Sequence, residues 1–323
     1  MKVFRFRPIL KQTLWGGEKI AAMKGLTDAP AGIGESWEVS GVEGDVSVVD
    51  GGDCDGMTLT ALIDKMQGTL VGDDVYRRYG TRFPLLIKFI DAQRDLSIQV
   101  HPTDAQAQAA GRPCGKTEMW VIMRGSSADA SLRVGLNRAI TPDEYRRMVA
   151  DSTIVDTIAR YPVGEGDCFF LPAGRIHSIG AGCLLLEIQQ TSDVTYRIFD
   201  FNRRDKDGRL RQLHTDEAAA AIDYRVESDY RTYYEPKKNE TVRLVDCPYF
   251  TTDILSLDGR KTLDLAARDS FTLLMAVDGE GSVQADDETP VALRRGQTLL
   301  VAAATRTLML DGQVKVVTAT VGT

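Results

Sequence analysis

The chain has 323 residues, 43% apolar and 26% charged, with a formal net charge of -7. That acidic balance argues against a nucleic-acid surface, which needs clustered Lys and Arg, and it confines any anion site to a local basic patch. No apolar run approaches the ~18 residues of a membrane span, and five cysteines without Cys-x-x-Cys spacing read as free thiols in a reducing cytoplasm.

Residues 1–7 alternate like a strand and lack the apolar core of a signal peptide. Strand-like runs at 37–40 and 46–49 follow the glycine-rich turns at 15–17 and 32–36. Thr58 caps a predicted helix whose buried face carries Leu59, Leu62, Ile63 and Met66, and a short helix is expected over 73–79. Residues 83–92 form a mostly apolar strand with one internal cation, Lys88. That ammonium either snorkels to solvent or faces a buried anion.

Residues 102–110 read as a short Ala/Gln helix ended by Gly111. Residues 141–160 read as helical. Thr141-Pro142-Asp143-Glu144 combines a cap, a proline at the first helical position and an acid at the third, and a second helix is expected from Asp151-Ser152-Thr153. Residues 184–190 form a strand with Leu185, Glu187 and Gln189 on one face and Leu186, Ile188 and Gln190 on the other. Two polar residues on an interior-looking face point to a polar cavity. Arg203 and Arg204 read as a solvated turn, His214 as a residue without partners, and Thr215 as the cap of an alanine-rich helix over 216–222. The charged connector 234–240 precedes a region, 241–323, of strands and turns without histidine.

A weak internal repeat links the two regions. Gly166 to His177 matches Gly296 to Thr307 as glycine, polar residue, apolar run, small-residue turn and strand, with Thr307 opposite His177.

The chemistry concentrates in residues 96–197. Gln99 and His101, two apart in a β-rich run, point the same way. Glu118 heads the strand-like run 118–123, and His177 follows the turn Pro172-Ala173-Gly174. Two imidazoles, a carboxylate and an amide oxygen converging inside a sheet suit zinc or a similar divalent metal.

The motifs Gln-x-His-Pro, Lys-x-Glu-Met-Trp, Pro-Ala-Gly-x-x-His and Ser-Asp-x-x-x-Arg, in this order, resemble the class I mannose-6-phosphate isomerases of the cupin superfamily, in their short bacterial form. The similarity spans 85–201 and is looser elsewhere. It implies a mainly β fold of two cupin-like jelly-roll barrels with a small helical insertion. Residues 1–236 would be the metal-binding catalytic domain, and 241–323 a cupin-like domain without metal. The resemblance further implies one Zn2+ per chain on Gln99, His101, Glu118 and His177. It puts the catalytic arginine at Arg197, its neighbouring acid at Asp193, the family lysine at Lys116, and Ser97 and Lys88 on the phosphate side of the pocket. Gly115 stands where longer members carry a histidine.

The implied reaction interconverts mannose 6-phosphate and fructose 6-phosphate through a cis-enediol, with a small sugar phosphate as the partner. Lys116, Glu187, Asp193 and hydroxide on the metal all stay open as the proton-transfer group. Two alternatives stand beside this reading. A cupin dioxygenase also uses two histidines and a carboxylate, around iron; a silent sugar-binding cupin would bind without turnover. Oligomeric state is not legible in the sequence.

Overall fold

Three sheets organise the chain, and the computed structural model describes them over residues 1–204 and 207–322. The first, five-stranded, runs in the order Ile158–Pro162, Ser131–Leu136, His177–Ile179, Ile98–Val100, Tyr196–Phe199. The second, six-stranded, runs Cys168–Leu171, Glu118–Ile122, Leu184–Gln190, Leu85–Asp91, Ile33–Val39, Ile9–Gly17. Their antiparallel ladders suit a cupin-type jelly roll, although neither sheet closes into the barrel expected from the sequence.

The third sheet gathers the C-terminal strands around the long Thr251–Asp264, Thr272–Ala285 and Thr307–Thr320. The division expected between 236 and 241 is crossed by strand pairing: Val3–Arg7 pairs with Thr298–Val301, so the first strand of the chain lies in the C-terminal sheet. The repeated segments follow the same local path. Gly166 and Gly296 both take positive φ, 90° and 79°, a backbone region that favours glycine. The strands Cys168–Leu171 and Thr298–Val301 follow them, and His177 and Thr307 each open the next strand.

The inner strands Glu118–Ile122, Leu184–Gln190 and Leu85–Asp91 of the six-stranded sheet are buried on both faces, which accounts for their nearly continuous apolar runs. On one face Ile87, Phe89, Val121, Leu186 and Ile188 pack with Phe250, Phe271, Leu273 and Met275 of the C-terminal region and with Leu59, Leu62 and Ile63. On the other, Ile90, Trp120, Ile122 and Leu185 meet Leu132, Val134 and Ile179 of the five-stranded sheet. That inner face changes character along the strands. Ile122 and Trp120 give way to Glu118, Leu185 to Glu187 and Gln189, and Ile90 to Lys88, all buried. One end of the space between the sheets is a dry core; the other is polar.

Helices Leu59–Met66 and Asp73–Tyr79 form as expected, with Gly68–Val71 between them. Helix Lys19–Lys24, closed by left-handed Gly25, was not expected. Thr103 with Gln106 and Thr141 with Glu144 form reciprocal capping boxes for Asp104–Ala109 and Pro142–Ala150. The second helix expected after Asp151 does not form. A single 3-10 turn, Ile154–Thr157, leads into strand Ile158–Pro162, whose pairing with Ser131–Leu136 overrides the local helical signal. The alanine-rich helix is Thr215–Ala221, with Thr215 inside it and no side-chain cap.

Candidate metal centre and the cavity beside it

Register brings the distant motifs together. Gln99 lies opposite His177 on one side and Arg197 on the other. Across the gap, Glu187 is paired with both Lys88 and Trp120, and Gln189 with Glu118. Residues far apart in sequence thus face one another from two sheets.

His101, Glu118 and His177 are fully buried, and one donor atom from each lies within 4.8 Å of the others. His177 Nε2 is 3.2 Å from Glu118 Oε1, and His101 Nε2 is 3.5 Å from Glu118 Oε2. Each imidazole places Nδ1 against a backbone carbonyl, His101 on Val194 O at 2.9 Å and His177 on Arg175 O at 2.8 Å. Donating Nδ1–H there leaves each Nε2 lone pair aimed at Glu118, the arrangement that orients metal-ligating histidines. His101 Nε2 and Glu118 Oε1 have no hydrogen-bond partner, a costly condition for buried polar atoms unless something else binds them. The residues therefore fit a divalent cation. The Gln99 amide approaches from the side, Nε2 3.3 Å from His177 Nε2; a half-turn about the last torsion turns the oxygen to the same place.

Charge is arranged to keep these donors available. Burial pushes the His101 imidazole down to about 3, with Lys116 adding to the effect, so the ring is neutral near pH 7. Burial pushes His177 down as well. Burial alone would raise the Glu118 carboxyl, but Lys116 and the two imidazoles hold it well below its usual range. The Lys116 ammonium lies 2.8 Å from Glu118 Oε2.

A cavity of about 300 Å³ opens beside this group, lined by Ser97, Gln99, Lys116, Glu187, Asp193 and Arg197 together with Lys88, Glu35, Trp15, Thr195 and Arg211. Every candidate named from the sequence is therefore in the buried donor group or on this wall. Lys88 does not snorkel to solvent. Its ammonium lies 3.1 Å from Glu187 Oε1 and 3.7 Å from Glu35 Oε2, over the Trp37 ring. Burial disfavours its charge, yet Glu35 and Glu187 hold its pKa above the usual range. The Glu187 carboxylate also accepts Trp120 Nε1 at 2.8 Å. Asp193 is on the exposed side and does not orient Arg197, whose Nη1 donates to Gln212 O at 2.9 Å.

Lys116 is positioned from below. Its amide donates to Pro102 O at 3.1 Å, Gly115 N to Asp104 Oδ1 at 2.7 Å, and Thr117 N to Gln190 Oε1 at 2.8 Å. A Cβ on Gly115 would sit 2.5 Å from Pro102 O and 2.6 Å from Asp104 N, so no larger residue fits there without moving backbone. Trp15 takes the place on the wall that its type suggested, whereas Glu35 and Arg211 are wall residues that sequence reasoning missed, and no local signal marks them. His214 is not without partners, since its Nδ1 accepts the Arg197 amide at 3.1 Å. Arg203 is only 17% exposed and ion-pairs with Asp200, which corrects the solvated reading for that residue, while Arg204 is exposed; Asp205 and Lys206 of that turn lie outside the described residues.

Two antiparallel sheets enclosing a His–Glu–His donor group and a polar cavity define a cupin-type fold with a candidate metal centre. Residues 3–129 match the family described as "Phosphomannose isomerase type I, catalytic domain", and residues 240–321 match "Mannose-6-phosphate isomerase, cupin domain". The chain is 33% identical to the mannose-6-phosphate isomerase ManA of Bacillus subtilis over 95% of each chain, and 31% identical to the mannose-6-phosphate isomerase of Streptococcus mutans, again over 95% of each. The crystal structure of the Bacillus subtilis mannose 6-phosphate isomerase superposes with a TM-score of 0.88 at 27% identity, covering 99% of both chains. The chain belongs to the type I mannose-6-phosphate isomerase family of enzymes.

Proposed function

We propose that this chain binds one zinc ion and interconverts mannose 6-phosphate and fructose 6-phosphate through a cis-enediol. The observation that carries the reading is the buried His101–Glu118–His177 group, with its unpartnered donor atoms, beside a cavity lined by both cations and carboxylates. Gln99, His101, Glu118 and His177 would hold the metal, which when bound supplies Lewis-acid polarisation of the sugar C1 and C2 oxygens.

The chain's own residues do the rest. Arg197, opposite Gln99 in the ladder, gives a fixed planar cation beside the oxygens that gain charge in the enediolate. Lys116 reaches from the donor group to the cavity wall and is assigned to move the proton between C2 and C1, taking it from C2 as the neutral amine and returning it to C1 from the ammonium so formed. Asp193, on the exposed side of the wall, is the rival acceptor. Glu187 is committed to Lys88 and Trp120, which makes it a positioning residue. Ser97 lines the same wall and contributes to substrate binding.

The test is a coupled assay on mannose 6-phosphate with metal analysis. Activity should fall with chelation and return with added zinc. Full activity in metal-free protein would overturn the metal's role, and stoichiometric iron with oxygen uptake would overturn the isomerase reading.

A further inference from the structure

Arg211 stands at the junction of two spaces. It lines the cavity beside the metal centre with Arg197, and it lines the wider outer cleft of about 590 Å³ with Trp15 and Glu35. It therefore marks the mouth of the site. Arg197, opposite the candidate ligand Gln99, lies further in.

The charges along this wall are unevenly compensated. Lys116 is answered by Glu118, and Lys88 by both Glu35 and Glu187. The arginines are not answered in this way. Asp200, 4% exposed, is shared by Arg203, which ion-pairs with Oδ1, and Arg211, whose Nε is 3.5 Å from Oδ2. Among the described residues Arg197 forms no ion pair at all; its Nη1 donates to a backbone carbonyl and its buried Nε has no hydrogen-bond partner. Two arginines thus share one carboxylate and a third has none, and two of the three, Arg211 and Arg197, face the cavity. A cavity wall in this state attracts an anion, and a planar guanidinium matches phosphate oxygens in a way an ammonium does not.

We infer that Arg211 holds the phosphate of the substrate at the cavity mouth, while Arg197, further in, faces the reacting oxygens. Lys88, expected on the phosphate side, has its charge engaged by two carboxylates and is a poor candidate for the same task. The inference rests on the sugar-phosphate reading and fixes the substrate's direction: reacting carbons inward beside Gln99, phosphate outward. Asp200 positions Arg211 without touching substrate.

The test uses the zinc-loaded full chain. In Arg211→Ala and Arg211→Gln, KM for mannose 6-phosphate should rise about tenfold or more while kcat stays within about threefold, because phosphate is held equally in ground and transition states. Inorganic phosphate should bind the parent protein, measured by calorimetry and as a competitive inhibitor, and should bind each variant about tenfold more weakly. Arg211→Lys should recover part of both. A folded Arg211→Gln protein with KM and phosphate affinity within twofold of the parent overturns this role, as does a fall in kcat at unchanged KM. If the parent fails to isomerise mannose 6-phosphate, the functional reading fails, and the phosphate titrations still judge the role of Arg211 separately.

Discussion

Replacing Lys88 with Met should destabilise the protein by about 3–5 kcal/mol, the cost of removing one partner from a buried ion pair. The cation is 7% exposed, 3.1 Å from Glu187 and 3.7 Å from Glu35. At an effective dielectric of about 20 the two separations correspond to roughly 4.5–5.5 kcal/mol of attraction each before desolvation is subtracted. Met has nearly the same length and volume, so packing against Trp37 is retained and the loss is electrostatic. Two carboxylates are then left facing each other with only the Trp37 and Trp120 indole N–H groups as donors. Glu35, now held below the usual carboxylate range against the cost of its burial, should move up once Lys88 is gone. Adding Glu187→Gln removes one of the two charges, and the double variant should regain most of the loss. Urea denaturation of parent, single and double variants at neutral pH measures this. A single-variant loss below about 1 kcal/mol, or a double variant no more stable than the single, would refute the reasoning.

Three further outcomes follow from the same geometry. His177→Ala removes one of two imidazoles at the donor group and should abolish isomerisation and lower bound zinc; a cleanly folded variant with parental zinc content would exclude His177 as a ligand. Arg197→Ala should lower kcat by about 100-fold or more with zinc retained, and Arg197→Lys should recover only part, since it has charge without the fork; steady-state kinetics of the metal-replete variants decide it. Residues 1–236 expressed alone should be poorly soluble, because the face carrying Ile87, Phe89, Val121 and Leu186 loses its cover of Phe250, Phe271 and Leu273; a soluble, fully active fragment would show that the C-terminal region has no structural role.

Motif chemistry and periodicity made much of this protein legible in advance. The candidate donor group was readable because histidine and glutamate fall in short recognisable motifs at the edges of strands, with Gln99 inside Ile98–Val100 and His101 directly after it. Capped helices such as Pro142–Ala150 were readable because their signals are local, a Thr and a Glu bonding the same turn of backbone. Where local signal and tertiary pairing disagreed, pairing won. Residues 158–160 end the run read as helical from the sequence, yet 158–162 complete the edge of a sheet because Ser131–Leu136 offers them a ladder.

Other features have no local signature. The sequence contains Lys88, but whether its ammonium reaches water depends on Glu35 and Glu187 arriving from neighbouring strands. The sequence contains Arg211 and Asp200, but their meeting beside the cavity depends on the path of the chain after Tyr196–Phe199. The first strand reads as the start of the N-terminal region and is paired into the C-terminal sheet. What sequence alone determined is therefore the set of chemical groups and the alternation that gives each a side. What the tertiary structure decided is which charges share a carboxylate, because electrostatic compensation depends on distance through space and burial, and neither is a property of neighbouring residues along the chain.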